Sequence, residues 1–155
     1  MASRLIVGVV SDTHGLVREE ALEALRGSDV ILHAGDIGGN HVLQELGELA
    51  PVIPVRGNVD GGWARLLPER RRLDLGGVPV LVLHDRALLG LEPHEEGLRV
   101  VVFGHSHQPL AEKRKGVLWF NPGSAGPRRF RLPVSVGRLV IEDGRVRHRL
   151  IEIQA

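Results

Sequence analysis

Five apolar runs in this sequence each end, within a few residues, in a carboxylate, an amide or an imidazole. Leu5 to Val10 leads into Asp12 and His14, and Asp29 to His33 into Asp36. Val52 to Arg56 leads into Asn58 and Asp60, Val80 to Leu83 into His84, and Val100 to Phe103 into His105 and His107. These side chains offer oxygen and nitrogen but no sulfur, and the chain contains no Cys. Such a donor set suits borderline transition metals: manganese, iron, cobalt, nickel or zinc. One structural ion needs about four ligands. The larger set here (Asp12, His14, Asp36, Asn58, His84, His105 and His107) points to two ions that share a carboxylate. Two ions about 3.5–4 Å apart can hold a hydroxide and clamp a phosphoryl group. Hydrolysis of phosphate esters is among the slowest uncatalysed reactions in biology, so such a centre answers a real chemical need.

Donors at strand ends meet only if the strands lie side by side. In α/β proteins ligands gather beyond the carboxyl ends of parallel strands. Leu5 to Val10 is a near-continuous β-branched run, which predicts a strand buried on both faces. A helical stretch follows, with Val17, Ala21, Leu22 and Leu25 on one face and Arg18, Glu19, Glu20 and Glu23 on the other. Residues 29 to 33 predict a second strand, and Asn40 is the predicted N-cap of a helix from His41 to Leu49. Val52 to Arg56 predicts a third strand, with Pro54 suited to an edge or a break. This alternation implies parallel strands joined by right-handed crossovers.

The second half changes character. A hairpin is predicted from Arg71 to Leu75 and Val80 to Leu83, turning at Gly76-Gly77, followed by a short helix from Arg86 to Leu91. Val100 to Phe103 and Val117 to Phe120 read as strands, the latter ending in Asn121-Pro122-Gly123-Ser124. Ser135 to Glu142 and Arg145 to Ile153 are joined by Asp143-Gly144, a strong hairpin signal. Two sheets packed face to face, with helices outside, would bury all these strands.

Composition limits the alternatives. With 155 residues, 43% hydrophobic and 25% charged, residues 1–155 form one globular domain that needs no disulfide to fold. A net charge of +1 and 3% aromatic residues offer neither a strongly basic surface nor a stacking platform for nucleic acid. No apolar run reaches the ~18–20 residues of a membrane-spanning helix. Met1-Ala2-Ser3-Arg4 leads straight into the first strand without a signal-peptide pattern, so a cytoplasmic location is expected.

Taken in order, Asp12-x-His14, Gly35-Asp36, Gly57-Asn58-x-Asp60, His84 and Gly104-His105-x-His107 resemble the calcineurin-like metallophosphoesterase superfamily. The short chain and Asn121-Pro122-Gly123-Ser124 resemble its small single-domain bacterial and archaeal phosphodiesterase branch. The likeness runs from about residue 5 to about residue 130. It implies an α/β fold: a four-layer αββα sandwich of two mixed β-sheets flanked by helices. It also implies two divalent transition-metal ions, manganese first, with nickel, iron, cobalt or zinc as alternatives.

By this resemblance one ion is held by Asp12, His14, Asp36 and His107, and the other by Asp36, Asn58, His84 and His105. Asp36 and a hydroxide bridge them, the hydroxide attacks phosphorus in line, and Asn58 holds a phosphate oxygen. Asp60 has two possible roles, proton donor to the leaving group or support for a neighbouring His. Asp85 departs from the Gly that often follows the family's His84 equivalent. It adds a carboxylate beside the second ion, to orient a ligand or to hinder anionic substrates.

The expected substrate is a small phosphodiester, with Arg128 and Arg129 placed to meet its phosphate. No membrane partner is expected, and apolar edge strands make a homodimer or higher homo-oligomer plausible. Two alternatives stand beside the enzyme: a protein-interaction scaffold on the same fold, as in a retromer subunit, and a nuclease. The presence of every ligand residue favours the enzyme over the scaffold, and the near-neutral charge disfavours the nuclease.

Other residues carry blander readings. His33 is either a support for the ligands or a packed strand-end residue. His41, His94 and His148 read as surface residues away from the motifs. Arg70-Arg71-Arg72 reads as a solvated strand face. Asn121 to Ser124 reads as a tight turn buttressing the site, and Ser124 has no base to make it a nucleophile. Trp63 and Trp119 read as packing residues.

Overall fold

The computed structural model describes residues 4–154. The order is β1 (Leu5–Val10), α1 (Glu19–Leu25), β2 (Val30–His33), α2 (Asn40–Gly47), β3 (Val52–Pro54), β4 (Arg70–Leu75), β5 (Val78–Leu83), β6 (Val100–Val102), β7 (Leu110–Arg114), β8 (Val117–Asn121), β9 (Ser135–Glu142) and β10 (Arg145–Glu152). Short 3-10 turns lie at Gly62–Ala64 and Arg86–Leu88. One sheet has the order β10-β9-β1-β2-β3, the other β4-β5-β6-β8-β7. Both are mixed. In the first, β1, β2 and β3 run parallel and β9 is antiparallel to β1. In the second, β5, β6 and β8 run parallel, with β4 and β7 antiparallel at the edges.

The pattern of buried residues explains the layering. Val7, Val9 and Leu32 of the first sheet pack against Val80, Val82, Val100, Val102 and Phe120 of the second, forming the core between the sheets. The alternate residues Val10 and Ile31 point outward and pack under Ala21 and Leu25 of α1 and Val42 and Leu46 of α2. β1 is therefore apolar on both faces, as its unbroken run requires. The outer face of the second sheet buries Leu81, Leu83, Val101 and Phe103 beneath Leu89 and Leu98. Its cover is the 3-10 turn and the segment that follows it, so the fourth layer is thin.

Four local expectations are corrected. α2 begins at Asn40, and Gly39 takes the cap position without any side-chain cap bond. The Val42 N–H bonds to the Gly39 carbonyl, which draws Asn40 into the first turn. The predicted helix from Arg86 to Leu91 is one 3-10 turn, Arg86–Leu88, capped by the Asp85 carboxylate accepting from the Ala87 N–H. β7 has no counterpart in the sequence pattern; its polar residues Glu112, Lys113 and Arg114 carry no apolar period, and pairing with β8 alone makes it a strand. β3 stops at Pro54, and its place at the sheet edge accommodates a residue without an N–H.

Candidate metal centre

The carboxyl ends of β1 and β2 from one sheet, and of β5 and β6 from the other, meet at a single edge of the sandwich. Two groups of donors form there. Asp12, His14 and His107 make one, and Asp36, His84 and His105 the other, with each group's ligand atoms within 4.8 Å of one another. The groups adjoin: His14 Nε2 lies 3.9 Å from Asp36 Oδ2, and His84 Nε2 lies 3.9 Å from Asp12 Oδ1.

Bringing these side chains together strains the chain. Asp12 (φ 55°), His14 (46°), Asp36 (55°), His105 (72°) and His107 (64°) all occupy the left-handed region. Only His84 among the six donors does not. Positive φ is uncommon outside Gly and is stored at functional sites when the surroundings enforce it. The surroundings here are tightly packed loops. A Cβ on Gly57 would lie 2.2 Å from Asp36 Oδ1, and one on Gly104 would lie 2.1 Å from Ser11 Oγ and 2.6 Å from Asp12 Oδ2. Gly precedes Asn58 and His105 because these loops touch backbone to side chain.

Each carboxylate divides its oxygens between the protein and the centre. Asp12 Oδ2 accepts from the Ser11 hydroxyl at 2.7 Å and from the His105 N–H at 3.1 Å. Its Oδ1 is buried without a hydrogen-bond partner, as is His14 Nε2. Asp36 Oδ1 accepts from the Val59 N–H at 3.0 Å, while Oδ2 lies 3.1 Å from His84 Nε2. His84 Nδ1 donates to the Ala34 carbonyl at 2.8 Å, which turns Nε2 inward as the atom that could bind a metal. His84 Nε2 also lies 3.3 Å from His105 Nδ1. These donor atoms stand at separations close to the roughly 3.4 Å between ligand atoms around one four-coordinate ion. A shared cation is what such an arrangement fits.

The electrostatics agree. Burial would raise the carboxyl of Asp12, but His107, the Ser11 hydroxyl and the charge of His84 outweigh it, and its pKa lies below the ordinary value. Burial is likewise outweighed at Asp36 by His84 and the Val59 N–H. His14 is lowered by burial, against the pull of Asp36 and Asp12. Burial would lower His84 too, but the Asp36 carboxylate leaves it raised. Both carboxylates are held ionised, ready for a cation.

Supporting residues surround the donors. His33 is fully buried and pushed down to about 4 by loss of solvent. Its Nδ1 accepts from the Gly35 N–H, so Nε2 carries the proton and donates to Thr13 Oγ1, which in turn donates to the Ile37 carbonyl. It therefore ties together the loops of Asp12 and Asp36. Asn121 donates to the Gly104 carbonyl and accepts from the Gly123 N–H, buttressing the His105 loop. Ser124 donates to the Asp12 carbonyl at 3.0 Å. Ser11 and Thr13 flank Asp12, and nothing local in the sequence marks their hydroxyls as partners of Asp12 and His33.

Two expectations change. Asp60 is buried, and its carboxylate accepts from the backbone N–H groups of Ile37, Gly38 and Gly57 at 2.9–3.1 Å. That geometry occupies both oxygens as acceptors and pins the Asp36 loop to the Asn58 loop, the arrangement of a positioning residue. His41 is not remote from the motifs: its Nε2 lies 2.8 Å from the carbonyl of Gly15, beside His14. His94 pairs with Glu92, and His148 stands edge-on to Phe120, both away from the centre. Asn58 is exposed and shares a cleft wall with His84 and Asp85. Arg128 and Arg129 are exposed on the loop after Ser124, and the charge of Arg129 contributes to lowering His14. Trp119 packs against Phe103, whereas Trp63 is 42% exposed.

Two facing mixed sheets, with paired nitrogen and oxygen clusters at their carboxyl edge, define a two-sheet α/β protein built around a candidate metal centre. The chain belongs to the calcineurin-like phosphoesterase superfamily, whose domain model matches residues 5–144. It is 31% identical over 168 residues to the "Probable metallophosphoesterase" MJ0623 of Methanocaldococcus jannaschii, covering 99% of this chain and 84% of that one. It is 33% identical over 162 residues to the phosphodiesterase YfcE of Escherichia coli K12, covering 83% and 84%. Among solved structures, the zinc complex of Vps29 from Entamoeba histolytica matches with a TM-score of 0.72 and 23% identity, covering 96% of this chain and 99% of that one, a likeness of fold. Among the described residues, no helix is long and apolar enough to cross a membrane.

Proposed function

We propose that this protein is a phosphodiesterase that works with two divalent metal ions. The observation that carries the reading is the convergence of nitrogen and oxygen donors from Asp12, His14, Asp36, His84, His105 and His107 at one edge, with Asp12 Oδ1 and His14 Nε2 buried and unpartnered. One ion would be held by Asp12, His14, Asp36 and His107, the other by Asp36, Asn58, His84 and His105. Asp36 Oδ2 suits the shared position because it lies near both His14 and His84. Bound there, the ions supply a nucleophile drawn from water at neutral pH and positive charge for the phosphoryl oxygens. The protein's part is to hold donors and substrate for in-line displacement at phosphorus. Asn58, on the cleft wall, and Arg128 and Arg129, on the loop after Ser124 with the charge of Arg129 felt at His14, orient the phosphate oxygens. Asp60 and His33 keep the loops in place.

A non-catalytic scaffold is the second reading, since the Vps29 fold is shared. Metal binding alone does not separate the two, because that Vps29 itself binds zinc. Hydrolysis does. The test is metal content after loading with manganese, together with turnover of bis(4-nitrophenyl) phosphate across manganese, nickel, cobalt and zinc. Two ions per chain with metal-dependent turnover supports the enzyme. Bound metal with no turnover on any diester or monoester moves the protein to the scaffold reading.

A further inference from the structure

A cleft of about 180 Å³ opens beside the second donor group, lined by Arg56, Gly57, Asn58, His84, Asp85 and Leu88 among others. Its basic groups are engaged. Arg56 donates to Glu69 at 2.9 Å, and Arg70 donates to the carbonyls of Leu88 and Leu89 at 2.7 and 2.9 Å. Asp85 is different. Its Oδ1 accepts from the Ala87 N–H at 3.0 Å, which fixes the side chain. Among the described residues no donor bonds to its Oδ2, which lies 3.9 Å from His105 Nε2, on the rim of the donor cluster. A carboxylate therefore stands on the cleft wall with Asn58 and His84, beside the second donor group.

A phosphomonoester carries close to two negative charges above its second pKa of about 6, whereas a diester carries one. The carboxylate repels both, and repels the monoester by one charge more. A diester's second ester group is uncharged, and the cleft beside Leu83 and Leu88 has apolar wall to receive it. We propose that Asp85 is a specificity-determining residue that turns the site toward phosphodiesters by repelling the second charge of a phosphomonoester, the adjoining cleft taking the diester's uncharged group. The inference rests on the phosphoesterase reading and goes beyond it by assigning substrate class to one side chain.

The test compares manganese-loaded wild type with Asp85→Asn. The amide oxygen can still accept from the Ala87 N–H, so the turn is kept and the charge alone is removed. Arg56, Arg70 and Glu69 act equally in both proteins. The first readout is the ratio of kcat/KM for methyl 4-nitrophenyl phosphate to that for 4-nitrophenyl phosphate, in which any change in metal loading cancels. One unit charge acting over about 6–8 Å in a wet cleft is worth roughly a three- to ten-fold change. The ratio should fall by that factor, chiefly through a gain on the monoester. The second readout is calorimetric binding of inorganic phosphate and dimethyl phosphate at pH 8. The variant should tighten phosphate by roughly three- to ten-fold more than dimethyl phosphate. An unchanged ratio, or equal shifts for the two anions, overturns the assignment. If wild type cleaves neither ester, the phosphoesterase reading fails, and the phosphate titration decides the role of Asp85 by itself.

Discussion

Replacing Asp60 by Asn separates a positioning residue from an acid. The carboxylate holds three backbone N–H groups: Oδ1 accepts from Ile37 and Gly38, and Oδ2 accepts from Ile37 and Gly57. An amide keeps one acceptor oxygen. With that oxygen facing Ile37 and Gly38, the new NH2 group points at the Gly57 N–H, donor against donor. One charge-assisted bond is lost, worth about 1.5–3 kcal/mol, and a buried N–H is left unpaired at a cost of about 1–3 kcal/mol. Relaxation recovers part of this, so the expected destabilisation is about 3 kcal/mol, read by urea unfolding of the metal-free protein. The loop carrying Asp36 then loosens relative to the Asn58 loop. Metal affinity and turnover should fall together, by the same factor for diesters with good and poor leaving groups. A loss confined to poor leaving groups, with stability near that of wild type, would refute the positioning role and restore Asp60 as the proton donor.

Asp36→Ala removes the oxygen near both His14 and His84 and the acceptor of the Val59 N–H. Bound manganese should drop below one ion per chain and diesterase activity should fall beyond the 10–100-fold typical of losing a ligand's supporting partner; two tightly held ions would exclude a shared role. His33 has a folded pKa of about 4 against 6.5 unfolded, so the unfolded chain takes up the proton first and stability is lost as pH falls through that window. Between pH 6.5 and 5 this contributes about 1.6 kcal/mol. In metal-free protein, His33→Gln should flatten the decline of unfolding free energy by that amount, and an unchanged slope would mean His33 is not held neutral. Gly104→Ala sets a methyl group 2.1 Å from Ser11 Oγ and 2.6 Å from Asp12 Oδ2. It should cost about 1–3 kcal/mol in stability and weaken metal binding, measured by calorimetry; wild-type metal affinity would show that the contact is easily relieved.

Much of the site was legible because its chemistry is local. Each donor follows an apolar run directly, and hydrophobic period and strand-end position are both properties of neighbouring residues. The parallel strands, the closing hairpin at Asp143-Gly144 and the edge position of Pro54 were readable for the same reason. β7 was not, because Leu110–Arg114 has no apolar pattern and is a strand only through β8. Asp60 and His41 misled because their partners, Ile37, Gly38 and Gly15, lie more than twenty residues away.

The sequence by itself determined which atoms are available: imidazoles, carboxylates and an amide, with no thiolate, in an order that matches a known superfamily. Only the tertiary structure decided how they associate. Asp12 of one sheet accepts from the His105 backbone of the other across 93 residues of chain. The left-handed turns at Asp12, His14, Asp36, His105 and His107 swing the donors inward. The close approach of loops at Gly57 and Gly104 leaves Asp12 Oδ1 and Asp36 Oδ2 facing the centre while binding their partner oxygens. The physical reason is that hydrogen bonding, desolvation and Coulomb interaction act over a few ångströms of space, and separation along the chain does not report that distance.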